Sequence, residues 1–355
     1  MKKFLNVFSF VFSMILYMFA GALTASMFEN LIFGFVILFL FFLIHIIIHE
    51  SGHLVFGLLA GYKFLSFRIG SFTLQKENGK NFLKKFTIPG TAGQCLLGVP
   101  DIPAEKCPYL LYNAGGGLMN LITALIALPL IFISDGIGKS VLVMFVVLGI
   151  IIALQNLVPL KTQGINNDGM NIIEISRNDS EKRMIYNQLE INYLTTLGTR
   201  YRDIDEKYFD DEGCEGILAD GIRAVKINIF LDMHDFESAE KTAQNLIDNN
   251  ISGFYGNEVK CELLFCKIIS GADRTSIDNL LDKKLKSYIK STCQYYLSRI
   301  RLMYAYNLLI EKNIPEAEKY KQMFEKVSEK YPVKADIILE RELMDIISQK
   351  NMAIQ

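Results

Sequence analysis

Four long apolar runs constrain what this chain can fold into more than any other feature. They cover about residues 4–27, 31–60, 109–134 and 140–160, and each approaches the roughly 20 residues an α-helix needs to cross hydrocarbon. Lipid offers the backbone no hydrogen bonds, so such runs must fold as helices that satisfy their own amides and carbonyls. Beyond residue 175, charged and apolar residues alternate with helical spacing, as expected of a soluble helical region. The expected fold is an all-α membrane bundle of about four transmembrane helices, with a C-terminal soluble α-helical domain. The first run follows Lys2 and Lys3 and contains Ala22-Leu-Thr-Ala25, which raises a cleaved signal peptide. Its apolar length exceeds a usual signal core and suffices to span, which favours an anchor.

Charge orients the bundle. The loop between the second and third runs holds Lys63, Arg68, Lys76, Lys80, Lys84, Lys85 and Lys106, whereas the other short connections hold Glu29, Asp135 and Lys139. Basic loops stay on the cytosolic side, so the N-terminus, this loop and the C-terminal domain are expected in the cytosol of a multi-pass cell-membrane protein. Within the loop, residues 62–75 (YKFLSFRIGSFTLQ) alternate with a two-residue rhythm. Asn78-Gly79 signals a turn, NFLKKFTI follows, and Pro89-Gly90 ends the pattern. This predicts a β-hairpin or small sheet in loop 61–108, serving either as a cap or as a substrate-binding element. The domains are then 1–172 in the membrane, 173–185 as linker and 186–355 as helical domain.

In that last domain, Asp235-Phe-Glu-Ser-Ala-Glu-Lys241 resembles Asn313-Ile-Pro-Glu-Ala-Glu-Lys319, 78 residues later, and Ser276-Ile-Asp-Asn lies near the midpoint. Helix-pair repeats of about 39 residues would produce this. A tetratricopeptide-like array and an unrelated helical bundle both fit, and either offers a surface to a protein partner. The net charge of -1 leaves no basic excess for nucleic acid. The six cysteines include no CxxC pair and fall on the cytosolic side of the topology, so they read as reduced thiols.

The second run contains HIIIHESGHLVFG, residues 45–57. His49 and His53 are four residues apart, so a helix puts both imidazoles on one side, one turn apart. Glu50 falls beside them as a candidate general base. HExxH is the arrangement of two zinc ligands and a base, and ionisable residues inside a membrane are costly unless satisfied. His45 shares much of that face but lies ~12 Å of rise and roughly 80° from His53. One ion with bonds of ~2 Å cannot take both together with His49. His45 is therefore expected to support the site or to partner a polar group on another helix.

A catalytic zinc usually has three protein ligands, so one must come from elsewhere. Asp-Gly pairs occur at Asp135, Asp168 and Asp220. The motif lies toward the cytosolic end of its span, Asp135 falls at the opposite face, and Asp220 lies deep in the soluble region. Asp168 alone follows the cytosolic end of the fourth run closely. A turn carboxylate in Asn166-Asn-Asp-Gly169 is the other reading of it.

HESGH in one membrane segment, with Asn156-Leu-Val-Pro159 and then Asp168-Gly169 after a later one, is similar to the site-2 protease family of intramembrane zinc metalloproteases. The resemblance covers about residues 31–172. It implies that Asp168 is the third zinc ligand and that Asn156 helps hold the substrate backbone. A further family pattern matches Gly116-Gly-Leu-Met-Asn120, with Gly117 where proline is usual. The spacer from Pro159 to Asp168 is longer than the compact family form, and loop 61–108 is too short for the PDZ domain of many bacterial relatives. Substrate selection would then fall to the hairpin, the helical domain or both. Implied substrates are membrane-spanning proteins or small hydrophobic peptides.

In the expected reaction, Zn2+ held by His49, His53 and Asp168 activates water, and Glu50 passes the proton to the leaving amine. A substrate helix must unwind first, and its extended backbone could pair with an edge of the 62–88 hairpin. Asn120 and Asn156 offer amides to that backbone, or else bond between helices. Two rival functions are a zinc transporter or sensor, and a catalytically inactive membrane adaptor that works through its helical domain.

Overall fold

The computed structural model describes residues 2–77, 80–87, 91–162, 165–251 and 253–354. The chain divides into two compact units, Met1–Lys76 with Thr91–Arg183 and Glu77–Gly90 with Met184–Gln355.

The first unit opens with α1 (Lys2–Met27) and α2 (Leu31–Leu59), separated by Asn30, whose side chain caps α2 by accepting from Phe33 N. After the sheet described below come α3 (Tyr109–Ala127), continued by a 3-10 stretch over Leu128–Ile133, and α4 (Gly136–Leu157). Four stretches are long and apolar enough to cross a membrane: Val7–Met27, Leu31–Leu59, Ala104–Ile133 and Gly136–Leu157. They correspond to the four apolar runs. Helices α2, α3 and α4 pack on one another, and α1 packs on α2 and α4. Phe35, Phe39, Leu43 and Ile47, one turn apart on α2, are exposed, so the outward face is apolar while the inward face carries the histidines.

The expected hairpin is a four-stranded antiparallel sheet in the order β3-β2-β1-β4, from β1 (Lys63–Ile69), β2 (Phe72–Glu77), β3 (Lys80–Lys85) and β4 (Gly93–Gly98). Residues 62–75 are not one continuous strand. Gly70 adopts φ +57 and makes a two-residue turn with Ser71 between the paired Ile69 and Phe72, a geometry that glycine enters without steric cost. The strand after Pro89-Gly90, β4, pairs with β1 through a register shift between Phe64 and Ser66. The turn signals Asn78-Gly79 and Pro89-Gly90 lie outside the described residues.

A short β5–β6 pair (Lys161–Thr162, Ile165–Asn166) follows α4 and leads into α5 (Asp168–Ile175). The rest of the chain is helical: α6 (Asp179–Leu197), α7 (Ile217–Asp232), α8 (Phe236–Asp248), α9 (Gly253–Ser270), α10 (Arg274–Leu280), α11 (Lys283–Thr292), α12 (Leu297–Ala305), α13 (Ile314–Ser328) and α14 (Lys334–Ile354). Helix α6 begins inside the stretch expected as linker.

The repeated segments turn out to be the same kind of turn. His234 and Lys312 both take positive φ (59 and 53). Asp235 and Asn313 follow and cap α8 and α13 by accepting from Ser238 N and Glu316 N, which satisfies amides a helix start leaves open. Asp273, near the midpoint, caps α10 in the same way through Ser276 N. The core between these helices holds Ile222, Phe265, Ile300 and Leu343, all at or near zero exposure. Buried Arg301 bonds Glu262 and Glu340 at 2.5 and 2.6 Å and lies 3.7 Å over the Phe265 ring, so its charge is paired with two carboxylates where it is desolvated. All six cysteines are free and buried.

Candidate metal centre

Helix α2 carries His49, Glu50 and His53 on adjoining turns, and α3 approaches them through Gly115-Gly116-Gly117. A Cβ on Gly52 would lie 2.2 Å from Gly115 O, and one on Gly115 would lie 2.7 Å from Gly52 O, so the two backbones touch. Small residues permit such approach between helices that have no hydrophobic drive to associate in lipid. Gly116 lies directly under the imidazoles: a Cβ there would sit 2.4 Å from His49 Cε1 and 2.6 Å from His53 Nε2. Gly117, at the position where the family pattern has proline, packs against Leu157.

The third group arrives from the far side of α4. Asn167 caps α5 and uses its whole carboxamide. Its Oδ1 accepts from Leu160 N and Met170 N at 3.0 and 2.9 Å, and its Nδ2 donates to Gln155 O and Val158 O at 2.7 and 2.6 Å. That accounts for two donors and two acceptor sites, all that an asparagine has. The end of α4 and the start of α5 are thereby tied together. Gly169 packs on Leu157 O, where a Cβ would meet the oxygen at 2.2 Å. Asp168, the first residue of α5, is thus aimed back at α2.

His49 Nε2, His53 Nε2 and Asp168 Oδ2 form a triangle with edges of 3.1, 3.3 and 3.4 Å. A tetrahedral ion with bonds of ~2.0–2.1 Å to nitrogen and oxygen needs donors ~3.3–3.4 Å apart, so the triangle has the size of a metal site. The chemistry agrees. His53 Nδ1 faces Tyr112 O at 2.8 Å, and a carbonyl can only accept. The Nδ1 proton therefore points outward and the Nε2 lone pair points inward, the usual arrangement around a ligating histidine. Asp168 Oδ2 is buried without a hydrogen-bond donor. Two imidazole nitrogens and a carboxylate oxygen this close repel unless a proton or a cation lies between them, and the spacing suits the cation. Two imidazole nitrogens and one carboxylate oxygen make His49, His53 and Asp168 a candidate metal-binding triad.

Glu50 borders β4, the strand at one end of the sheet. A Cβ on Gly93 would meet Glu50 Oε1 at 2.7 Å, so only glycine lets β4 run so near that carboxylate. Arg68, nearly fully buried on β1, donates to Gly70 O and to Thr91, and its charge reaches Glu50. Burial, and then the Glu50 charge, push the Cys95 thiol on β4 up to about 12. Cys95 is therefore held as a neutral thiol rather than a competing thiolate ligand.

His45 is fully buried and lies outside the triangle. Its Nε2 is 2.9 Å from Phe145 O on α4, and its Nδ1 is 2.9 Å from the Asn120 carboxamide on α3. Asn120 is also fully buried and reaches His49 Nδ1 at 3.4 Å. Asn156 donates to Ile152 O within α4 at 2.9 Å. Asn120 is thus brought against the histidines, while the Asn156 amide is bonded along its own helix. The sequence alone singles out neither Gly93 nor Tyr112, and it shows Gly116 and Asn167 only as members of longer patterns, without a role at the site. The glycine triplet and the Asn-Asp start of α5 were signals that could have exposed Gly116 and Asn167. Tyr112 contributes a backbone carbonyl, which no residue type encodes.

No protein-family model, curated protein or solved structure matches the chain.

Proposed function

We propose that this protein is an intramembrane zinc metallopeptidase of the site-2 protease kind, cutting peptide bonds in membrane-embedded proteins or hydrophobic peptides. The observation that carries the reading is the His49, His53 and Asp168 triangle, with Glu50 next in chain to one of its members. A zinc ion there would supply a Lewis acid that activates water and polarises a carbonyl. The rest belongs to the chain. His49, His53 and Asp168 hold the ion, and Glu50 accepts a proton from water and delivers it to the leaving amine. A structural site has no need of such a base.

A substrate must present extended backbone. The edge that borders Glu50 is not in the 62–88 hairpin but is β4, with Gly93 against the carboxylate. An unwound segment paired along β4 would pass the base. The apolar outward faces of α1–α4 suit lipid, and the basic loop suits a cytosolic site with both termini in the cytosol of a cell-membrane protein. The helical unit, rich in capped helix pairs, is suited to engaging a protein partner.

The test compares membrane proteomes of cells making wild type or Glu50→Gln, with zinc measured in each purified protein. The expected outcome is equal zinc and a membrane species that accumulates uncut in the variant, cleavage being about 100- to 10,000-fold slower. Unchanged cleavage sinks the general-base role. Zinc flux into proteoliposomes by wild type would favour a transporter instead. A phenotype that survives Glu50→Gln but not deletion of residues 184–355 would favour an adaptor.

A further inference from the structure

We infer that His45 is a positioning residue: it orients the Asn120 carboxamide, which in turn fixes His49 in the tautomer that offers Nε2 to the ion. The inference rests on the metal reading above and concerns groups outside the ligand triangle. Phe145 O can only accept, so the His45 Nε2 at 2.9 Å from it carries hydrogen. His45 has no exposed surface, and its polar contacts are that carbonyl and the Asn120 amide. Among the described residues no carboxylate touches it, so the neutral ring is the form this setting suits. A neutral ring with hydrogen on Nε2 accepts at Nδ1. The Asn120 atom 2.9 Å from Nδ1 must then be the amide nitrogen, and the oxygen must face His49 Nδ1 at 3.4 Å.

In the structure the amide has Oδ1 toward His45 and Nδ2 toward His49 and Gly116 O. The two ends of a carboxamide have the same shape, and the donor count selects the reverse orientation. Reversal gives up one marginal contact of 3.4 Å to Gly116 O and gains a matched donor at both histidines. His49 Nδ1 then donates to Asn120 Oδ1 and its Nε2 lone pair faces the triangle. His53 obtains the same result from Tyr112 O directly. Among the described residues no carbonyl faces His49 Nδ1 in this way; His49 uses Asn120, and His45 decides which end of Asn120 it meets. Gly149 makes room for this on α4, since a Cβ there would be 2.7 Å from His45 Cε1. Asn120 therefore acts on His49 rather than on a substrate backbone.

The test is zinc affinity of the full-length protein in detergent, by chelator competition, for His45→Phe in two backgrounds, Asn120 and Asn120→Asp. A carboxylate has no wrong end, so Asp at 120 accepts from His49 whatever occupies position 45. His45→Phe is expected to weaken zinc about 10- to 100-fold in the Asn120 protein and to change it little in the Asn120→Asp protein. His45→Gln, which can donate to Phe145 O and accept from Asn120, should restore most of the loss. Equal losses in both backgrounds, or none in either, overturn the inference. Absence of zinc binding by wild type would instead overturn the metal centre itself. If His45→Phe does not fold, nitrogen NMR of the metal-free wild type decides, because the chain has only four histidines. Hydrogen on His49 Nδ1 supports the relay, and hydrogen on Nε2 overturns it.

Discussion

Gly116 lies in van der Waals contact with the His49 imidazole, so close that a Cβ on it would be 2.4 Å from Cε1. Both partners are fixed. The imidazole is held by its place in the triangle, and the glycine sits on a helix whose neighbouring Gly115 already touches Gly52 backbone. Gly116→Ala must therefore push α3 off α2 or turn His49 away. The expected cost is ~1–3 kcal/mol of stability, with zinc affinity falling at least about 10-fold. Chelator competition and thermal unfolding of the purified protein measure both. An alanine variant with wild-type zinc affinity would refute the packing described for α2 and α3.

Asn167 is the second sensitive position, although it is not itself a ligand. Its four hydrogen bonds hold the end of α4 to the start of α5 and so aim Asp168. Asn167→Ala leaves buried backbone groups of Leu160, Gln155 and Val158 without this partner, at ~1–3 kcal/mol. It should lower zinc affinity while leaving α2 and its histidines in place. Asn167→Asp retains the acceptor half and should keep more of the affinity than alanine does. Hydrogen exchange at Leu160 and Met170 should rise in the alanine variant. Unchanged protection there would show that the loop is held by other means.

Asp336 supplies a pH dependence within the helical unit. Burial dominates its environment and raises its pKa to about 6, despite the Tyr201 hydroxyl that donates to it at 2.7 Å. In the unfolded chain an aspartate titrates near ~3.9. Between these values the folded state binds a proton that the unfolded state has released. Stability therefore falls as pH rises through this window, and the loss is complete above about 6. Asp336→Asn keeps an acceptor for Tyr201 and removes the ionisation. It should stabilise the helical unit by up to ~3 kcal/mol at neutral pH and make little difference near pH ~4. Hydrogen exchange along α14, followed against pH in the full-length protein, reads this directly. A variant that tracks wild type at every pH would rule out Asp336 as the titrating group.

Several of these positions were open to sequence reasoning to different degrees. The spacing of His49 and His53 specifies a shared helix face, because that depends on residues one turn apart in a segment that must be helical. The same geometry removed His45 from the ligand set, and the structure places it on Asn120 and Phe145 O instead. The loop between the spans shows the limit. Alternation announced β structure, but Gly70 splits residues 62–75 into two strands, and the strand that meets Glu50 comes from beyond Pro89-Gly90. Alternation reports faces of a strand and says nothing of which strand reaches the site.

The sequence by itself determined four helices long and apolar enough to cross a membrane, one helix face bearing His49 and His53 beside Glu50, and a helical C-terminal region with matching capped turns. These follow from hydrophobic length and helical period, which are properties of neighbouring residues. Only the tertiary structure decided that Asp168 closes on His49 and His53, that Gly116 must lack a side chain, and that Asn167 aims the aspartate. It also decided that Asn120 stands between two histidines. Each of these depends on where helices cross, and crossing is set by the fit of whole surfaces rather than by any local run of residues.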